Sequence, residues 1–163
     1  MAAEGEEAFV GLGSNLGDRR ALIEAAFDAL AALPQTVLLA RSSLYESAPV
    51  DAGGGDYLNA VARMHTTLEP QALLRALQAI EADAGRERPY PNAPRSLDLD
   101  LLLHGDREIE SDVLVLPHPR LQQRAFVVLP LLELAPELRW RGGKRLDALL
   151  PELAGQRLAK LDR

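Results

Sequence analysis

The 163-residue sequence predicts an α+β fold in which helices cover a ferredoxin-like antiparallel sheet. The first observation behind this prediction is the order of the segments, which is strand, helix, strand, strand, helix, strand. The second is the length, since a chain of about 150 residues usually forms one domain. The third is that no internal repeat or low-complexity linker divides the chain. We therefore expect a single domain over residues 1–163, with residues 1–7 flexible.

Charge and composition argue against several classes of protein. The sequence has 18 Lys and Arg against 24 Asp and Glu, and the net charge of −6 argues against a surface for nucleic acid. It has no cysteine, which excludes disulfides, thiolate metal sites and cysteine nucleophiles. No apolar run reaches the roughly 18 residues that span a bilayer, and the acidic start differs from a signal peptide. We expect a soluble cytoplasmic monomer that binds neither nucleic acid nor membrane.

The first part of the sequence predicts a strand followed by a helix. The apolar run Ala8–Leu12 is interrupted by Gly11 and Gly13, and it predicts a buried strand that leads into a turn. Asp18 is suited to cap the helix that follows. That helix ends before Pro34 and carries apolar residues at helical spacing, namely Ile23, Phe27 and Leu30.

The middle of the sequence predicts two strands, a loop and a second helix. β-branched and aliphatic residues over Thr36–Val50 predict a strand, and Tyr57–Leu68 predicts the next one. The Asp51–Asp56 segment between them contains three consecutive glycines, so we expect a mobile loop. Pro70 suits the first turn of a helix and Gly85 suits its end. One face of this helix is apolar and carries Leu73, Leu77 and Ile80.

The remaining sequence predicts a loop, a strand and several helical pieces. Arg86–Pro94 contains three prolines and no apolar periodicity, which predicts a loop. Alternation predicts a strand next. One face of it carries Leu97, Leu99, Leu101 and Leu103, and the other carries Asp98, Asp100 and Leu102. Gln122–Leu134 predicts a helix with a break at Pro130, and Arg145–Leu161 predicts short helical pieces around Pro151.

The segment Arg95–Asp100 carries the strongest chemical signal. On a strand, Asp98 and Asp100 point to the same side about 6.5–7 Å apart. Two such carboxylates suit hard divalent cations such as Mg²⁺, which bind carboxylate oxygens together with substrate phosphates and water. The alternative is a half-exposed strand whose polar face is acidic by chance. Leu102 favours the metal site, because a purely solvated face would remain polar at that position.

Cationic side chains lie on both sides of the acidic pair in the sequence. Arg86, Arg88 and Arg95 precede it, and His118, Arg120 and Arg124 follow it. Guanidinium groups bind phosphate oxygens in a forked geometry and stabilise charge that develops during phosphoryl transfer. Taken singly, each arginine is more often a surface residue or half of a weak salt bridge, and a histidine between prolines is more often a turn residue. Taken as a set, they predict a polyphosphate substrate.

Two aromatic side chains are candidates for binding a flat heterocycle. Tyr57 and Phe126 would stack on the faces of such a ring, and Asn59 would hydrogen-bond its polar edge. The alternative is that both rings belong to the core, and the pattern leaves this choice open. The glycines of Gly11–Gly17 lack the Lys-Ser/Thr pair of a phosphate-binding loop, so we interpret the segment as a strand-to-helix turn.

Four segments carry a resemblance to a known family. They are Gly11–Asp18, Asp56–Ala60, Arg95–Asp100 and Leu116–Phe126. In this order they resemble the 6-hydroxymethyl-7,8-dihydropterin pyrophosphokinase family, and the Arg-x-Leu-Asp-Leu-Asp and Pro-His-Pro-Arg motifs are highly specific. The resemblance implies a three-layer α/β/α sandwich. It also implies a folate-pathway enzyme that transfers pyrophosphate from MgATP to the hydroxymethyl group of a reduced pterin and releases AMP.

The resemblance also implies roles for individual residues. Asp98 and Asp100 would hold two Mg²⁺ ions and act in catalysis with Arg86 and Arg95. The residues implied for ATP, the co-substrate, are Gln78, Arg86, Arg88, Arg95, His118 and Arg124, with Arg88 on a loop that closes over the triphosphate. The residues implied for the pterin are Ser47, Ala48, Val50, Tyr57, Asn59 and Phe126.

Two segments of the sequence depart from the family pattern. Many members carry an aromatic residue in an Arg-Trp-Gly-Pro-Arg stretch before the acidic strand. This sequence has Pro91-Asn92-Ala93-Pro94-Arg95 there and lacks the aromatic residue. The Asp51–Asp56 loop is glycine-rich and short, so we expect it to contribute little to covering the pterin.

Two other functions stay open. A ferredoxin-like module that binds a nucleotide or pterin without turnover is one alternative, although paired carboxylates favour catalysis. A Mg²⁺-dependent phosphohydrolase is the other, although aromatic walls argue for excluding water.

Overall fold

A six-stranded antiparallel sheet organises the fold. The computed structural model describes residues 5–14, 18–47, 57–85, 97–141, 143–156 and 158–161. The strands are β1 (Glu6–Ser14), β2 (Thr36–Arg41), β3 (Leu44–Ser47), β4 (Tyr57–Thr66), β5 (Asp98–His104), β6 (Ile109–Glu110), β7 (Val115–Leu116), β8 (Arg139–Trp140), β9 (Lys144–Arg145) and β10 (Leu158–Leu161). The α-helices are α1 (Arg19–Ala31), α2 (Pro70–Gly85), α3 (Ala125–Leu134) and α4 (Leu150–Leu153).

The order of the strands is that of a ferredoxin-like sheet. β10, β3, β4, β1 and β5 lie side by side, and β2 pairs with β4 next to β3. All of these pairs are antiparallel. With α1 and α2 as the connecting helices, this arrangement confirms the fold class that the sequence predicts.

Two hydrophobic clusters divide the fold into three layers. One cluster joins the sheet to α1 and α2 and includes the fully buried Phe27 and Leu77. The other joins the opposite face of the sheet to α3 and includes Val61 and Leu131. The resulting α/β/α sandwich is the one implied by the resemblance. Among the described residues, no helix is both long enough and apolar enough to cross a bilayer.

Several boundaries agree with the sequence because local signals determine them. Asp18 caps α1, since its carboxylate accepts a hydrogen bond from the Ala21 amide at 3.1 Å. Helix α2 begins at Pro70 and extends to Gly85. Strand β4 begins at Tyr57 and ends at Thr66, close to the expected bounds.

The first two predicted strands need correction. The glycines of β1 do not end it, because this central strand pairs on both sides: Gly11 lies between Val61 and Asp100. β1 continues to Ser14. The first part of the turn expected over Gly11–Gly17 is therefore strand, from Gly11 to Ser14. The Thr36–Val50 strand is interrupted between β2 and β3, where the Ser42 hydroxyl accepts a hydrogen bond from the Val61 amide at 2.8 Å.

The alternation predicted for β5 holds only for its first half. Leu99 and Leu101 face the α1 and α2 layer, but Leu103 packs in the cluster of α3. The cause is a bulge: Val10 pairs with Leu101, while the preceding Phe9 pairs with Leu103. One extra residue on β5 therefore turns Leu103 to the opposite face.

The C-terminal third departs furthest from the sequence prediction. Helix α3 begins at Ala125 after a 3₁₀ turn over Leu121–Gln123 and continues through Pro130, which was expected to break it. Pro130 cannot donate to the Phe126 carbonyl, yet the helix persists because its apolar side is buried against the sheet. The last predicted helical piece is wrong: Leu158–Leu161 is β10, which pairs with β3.

Candidate active site

One row of paired residues crosses the sheet and forms the floor of the site. Asn59 of β4 pairs with Gly13 of β1, which pairs on its other side with Asp98 of β5. Directly paired residues point to the same face, so Asn59 and Asp98 share the α3 face about 9.5 Å apart, two strand spacings. Gly13 has no side chain, so only backbone atoms lie between Asn59 and Asp98 on this face.

The next row repeats this arrangement two residues along. Val61, Gly11 and Asp100 are paired across the same three strands. Asp98 is exposed, and the Asp100 side chain retains 44% of its accessible surface. The two carboxylates therefore share one face, as the sequence predicted, and the side-chain-free backbone of β1 lies beside them.

Two contacts from outside the sheet hold the edge strand β5 in place. The Glu81 carboxylate of α2 accepts a hydrogen bond from the Leu99 amide at 2.7 Å. The His118 amide donates to the Leu102 carbonyl at 3.0 Å. The second contact brings the Pro-His-Pro-Arg segment, which contains a cis Leu116–Pro117 peptide bond, next to the carboxylates.

His118 and Arg124 both approach Asp100. The His118 Nε2 atom lies 3.9 Å from Asp100 Oδ1, and Arg124 Nη1 lies 4.0 Å from Asp100 Oδ2. Burial lowers the pKa of His118 below its ordinary 6.5, and the nearby charges of Arg124 and Arg120 lower it further, while Asp100 offsets part of this effect. The His118 Nδ1 atom accepts the Arg120 amide at 3.2 Å, so the proton of the neutral ring is on Nε2, towards Asp100.

Asn59 is buried and oriented by β3. Its side-chain amide nitrogen donates to Ser47 Oγ at 2.8 Å and to the Tyr45 carbonyl at 3.3 Å. Asn59 is 3% exposed and Ser47 is 6% exposed, so both are fixed parts of the floor. A Cβ atom built on Gly13 would lie 3.5 Å from Asn59 Oδ1, which therefore faces the bare backbone of β1.

Tyr57 and Phe126 lie on the same side of the sheet as Asn59. Tyr57 starts β4 two residues before Asn59, and Phe126 is in the first turn of α3. Both rings are half-buried, whereas core rings such as Phe27 are fully buried. The Arg124 guanidinium stacks over the Phe126 ring with its carbon 5.4 Å from the ring centre, so the cationic and aromatic parts of the site are in contact.

A cavity of about 270 Å³ opens beside Asp100. It is lined by Leu74, Leu99, Asp100, Leu101, Ser111, Asp112, Val113, Leu114, Val115, His118 and Pro119. Sequence reasoning missed Leu74 and the 111–115 segment as parts of the site. The apolar run Val113–Leu116, which leads directly into the Pro-His-Pro-Arg motif, is the sequence signal that could have found this segment. In the structure Val113 is 66% exposed, which is unusual for a large apolar side chain.

The structure brings together only part of the expected residue set. Asp98, Asp100, His118, Arg124, Ser47, Tyr57, Asn59 and Phe126 are placed as described above. Gln78 is exposed on α2 about one turn after Leu74, which lines the cavity. Several other expected site residues lie outside the described residues, as do the Asp51–Asp56 and Arg86–Pro94 loops. These residues are Ala48, Val50, Arg86, Arg88 and Arg95.

The site combines paired carboxylates, cations and aromatic rings on one face of a ferredoxin-like sheet, an arrangement that suits a phosphate-handling transferase. Residues 9–136 match the family model for 7,8-dihydro-6-hydroxymethylpterin-pyrophosphokinase (HPPK). The chain belongs to this family. It is an ATP-dependent pyrophosphokinase of folate biosynthesis, and a binding module without turnover is not favoured.

Relatives and solved structures agree with this family. A 2-amino-4-hydroxy-6-hydroxymethyldihydropteridine pyrophosphokinase of Pseudomonas aeruginosa is 47% identical over 146 residues, 89% of this chain and 90% of the relative. One of Haemophilus influenzae with the same name is 38% identical over 156 residues, 95% of this chain and 98% of the relative. The folic acid synthesis protein fol1 of Schizosaccharomyces pombe is 40% identical over 132 residues, 80% of this chain but 18% of that protein.

Solved structures share the fold at low sequence identity. An HPPK-DHPS structure in complex with substrates superposes with a TM-score of 0.73 at 11% identity, and the match covers 92% of this chain and 43% of that one. Wild-type HPPK-DHPS of Plasmodium falciparum with pteroate gives a TM-score of 0.71 at 15% identity, covering 93% and 43%. This chain therefore spans less than half the length of these two structures, and the likeness shows the fold.

Proposed function

We propose that the α3 face of the sheet transfers pyrophosphate from ATP to the hydroxymethyl group of 6-hydroxymethyl-7,8-dihydropterin and releases AMP. The observation that carries this proposal is the row that joins Asn59, Gly13 and Asp98. It places the Asn59 amide, which we propose binds the heterocycle, and the Asp98 carboxylate on one face with only backbone between them. A substrate bound at Asn59 therefore reaches the carboxylates without crossing a side chain of β1.

We propose that Asp98 and Asp100 hold two Mg²⁺ ions. Among the described residues, no group of three or more His, Asp or Glu side chains is placed to hold a metal ion by itself. A pair of exposed carboxylates still fits Mg²⁺, because this ion commonly takes one or two carboxylates and completes its shell with phosphates and water. When bound, the metal compensates phosphate charge and orients the reacting groups.

The cavity beside Asp100 is the proposed site for the adenosine part of ATP. Its apolar residues, such as Leu74 and Leu101, would pack against a flat base, and polar groups such as Ser111 lie on the same wall. Asp100 and His118 also line this cavity, so a nucleotide bound there would direct its phosphates towards the carboxylates. Gln78 lies near this cavity on α2 and is included in the proposed ATP site.

The cations of the site are proposed to bind the triphosphate. His118 would donate from Nε2, and Arg124 would contribute a guanidinium that can bind phosphate oxygens in a forked geometry. We also include Arg86, Arg88 and Arg95 in the ATP site, with Arg86 and Arg95 in catalysis. The support for these three is the resemblance of their sequence segment to the family pattern.

The pterin is proposed to bind over the row described above. Asn59 would present its carbonyl oxygen to donor groups of the pterin edge, and Ser47 holds the opposite end of that amide. Tyr57 and Phe126 would cover the two faces of the ring, and backbone groups at Ala48 and Val50 complete the proposed set. Closely packed rings leave little room for an attacking water, which favours transfer over hydrolysis.

The wider properties of the protein also stay proposals. We infer one domain over residues 1–163, because both hydrophobic clusters share one sheet. We infer a monomer in the cytoplasm, where ATP is available, and no nucleic-acid partner, because the net charge is −6. Light scattering on a gel-filtration peak tests the monomer.

Product analysis tests the proposed reaction. Purified protein is incubated with MgATP and 6-hydroxymethyl-7,8-dihydropterin, and nucleotides and pterins are separated by chromatography. The expected products are AMP and a pyrophosphorylated pterin in equal amounts. ADP would indicate transfer of a single phosphoryl group, and free phosphate or pyrophosphate with unchanged pterin would indicate hydrolysis. Asp106→Asn, in the exposed turn after β5, is the matched control for substitutions of the carboxylate pair and should retain activity.

A further inference from the structure

The side chain of Gln156 is hydrogen-bonded on both sides of Arg124. Its Oε1 atom accepts the Ala125 amide at 2.9 Å, and its Nε2 atom donates to the Gln123 carbonyl at 2.8 Å. These two backbone groups bracket Arg124. Gln156 is 31 and 33 residues away from them in sequence, so the contact is tertiary.

Helix α3 needs such a contact because its own N-cap residue cannot provide it. The first amides of a helix have no acceptor within the helix and are usually satisfied by Ser, Thr, Asp or Asn at the N-cap. Here the N-cap residue is Arg124, whose side chain has no acceptor and makes no capping bond. Arg124 also has extended backbone angles, φ −123° and ψ 107°, between a 3₁₀ turn and α3. Gln156 therefore supplies the missing acceptor and holds the junction.

The backbone of Gln156 is tied to the end of α4. Its backbone amide donates to the Leu153 carbonyl at 3.0 Å, and Leu153 is buried in the cluster of α3. Two residues further along the chain, β10 begins at Leu158 and pairs with β3. The carboxamide is thus presented from a turn that follows a buried helix end. Residue 156 also lies beyond residues 9–136, which match the family model.

We propose that Gln156 is a positioning residue for Arg124 in the reaction with MgATP. This inference rests on the proposed function, because it takes Arg124 as a triphosphate-binding side chain. Gln156 fixes the peptide groups on either side of Arg124, and the guanidinium is thereby held between Asp100 and the Phe126 ring. Orientation of this kind contributes to rate because misplaced groups lose much of their effect.

Steady-state kinetics of Gln156→Met test the inference. Methionine keeps the length and neutrality of glutamine but makes neither hydrogen bond. We expect kcat/KM for MgATP to fall about tenfold and the KM for the pterin to change less than about twofold. The control is Thr67→Val, which removes another exposed side-chain hydrogen bond, to Gln35 at 2.9 Å, and should leave both values unchanged.

A double-mutant cycle with Arg124→Ala distinguishes an effect of Gln156 that acts through Arg124 from one that is independent of Arg124. If Gln156 acts through Arg124, adding Gln156→Met to Arg124→Ala should lower kcat/KM for MgATP less than about twofold further. Full multiplication of the two effects would overturn the positioning role. So would unchanged kinetics of Gln156→Met while Arg124→Ala is impaired. If Arg124→Ala itself has normal MgATP kinetics, the assignment of Arg124 fails and the inference with it.

Discussion

The contact between Tyr45 and Glu133 joins β3 to α3, and the free energy lost on removing it can be calculated. The Tyr45 hydroxyl donates to Glu133 Oε1 at 2.6 Å, and the Ser43 amide and hydroxyl donate to the same carboxylate. Burial and then the neighbouring carboxylate raise the pKa of Tyr45, so its phenol keeps its proton at neutral pH. Burial opposes ionisation of Glu133, but the hydrogen bonds from Tyr45 and Ser43 outweigh it and hold the pKa of Glu133 below 4.5.

Tyr45→Phe should destabilise the protein by about 1.5–2 kcal/mol. A hydrogen bond to a charged group contributes about 1.5–3 kcal/mol, and the lower part of that range applies because Glu133 is exposed and keeps its bonds from Ser43. For a chain of this size each kcal/mol lowers Tm by about 2–4 °C, so Tm should fall by about 3–8 °C. The Tyr45 carbonyl that accepts from Asn59 is a backbone group and is kept in this variant, so the KM for the pterin should change little.

A double-mutant cycle of Tyr45→Phe with Glu133→Met, followed by urea unfolding, isolates this contact. The expected coupling free energy is about 1–2 kcal/mol. Tyr45→Phe combined with Glu110→Met, an exposed position of β6, a strand that pairs with β7 and not with β3, is the control and should be additive. A Tyr45–Glu133 coupling no larger than that of the control would refute the reasoning.

Three further predictions concern the proposed metal ligands, the proposed pterin-binding ring of Phe126 and the pH dependence of stability. Asp98→Asn and Asp100→Asn should each lower kcat at least about 100-fold with little change in Tm, which a thermal melt and an AMP assay would check. Phe126→Leu should raise the pterin Kd about 2- to 12-fold, measured by calorimetry, and an unchanged Kd would assign the ring to the core. Arg107 holds the pKa of Glu6 below 4.5, so ionised Glu6 stabilises the fold above pH 4.5 and this contribution is lost as pH falls through the lower folded value. Glu6→Gln should therefore flatten the loss of unfolding free energy below about pH 4.5, and urea titrations that kept the wild-type slope would contradict it.

The sequence predicted the features that short-range signals determine. Asp18 and Pro70 mark helix starts through their own chemistry, and the spacing of Asp98 and Asp100 places both on one face because this half of β5 is regular. The four motif segments identified the family for the same reason, since each keeps its pattern within a few residues.

The features that the sequence did not predict depend on distant partners. Leu103 changes face because β1 and β5 pair with a bulge, and Leu158–Leu161 is a strand because β3 has an edge to pair with. Glu133 and Gln156 were missed for a similar reason. Their partners lie 88–90 and 31–33 residues away, and an isolated Glu or Gln carries no signal of such contacts.

The hydrogen bonds that hold β5 also protect the protein from self-association. An edge strand with unpaired amides and carbonyls can accept a strand of another molecule and start aggregation. On β5, Glu81 occupies the Leu99 amide and the His118 amide occupies the Leu102 carbonyl, so incoming chains find these groups already paired. An enzyme whose proposed metal-binding strand lies at the edge of its sheet can in this way leave that edge accessible to ATP while two of its backbone groups stay unavailable to other strands.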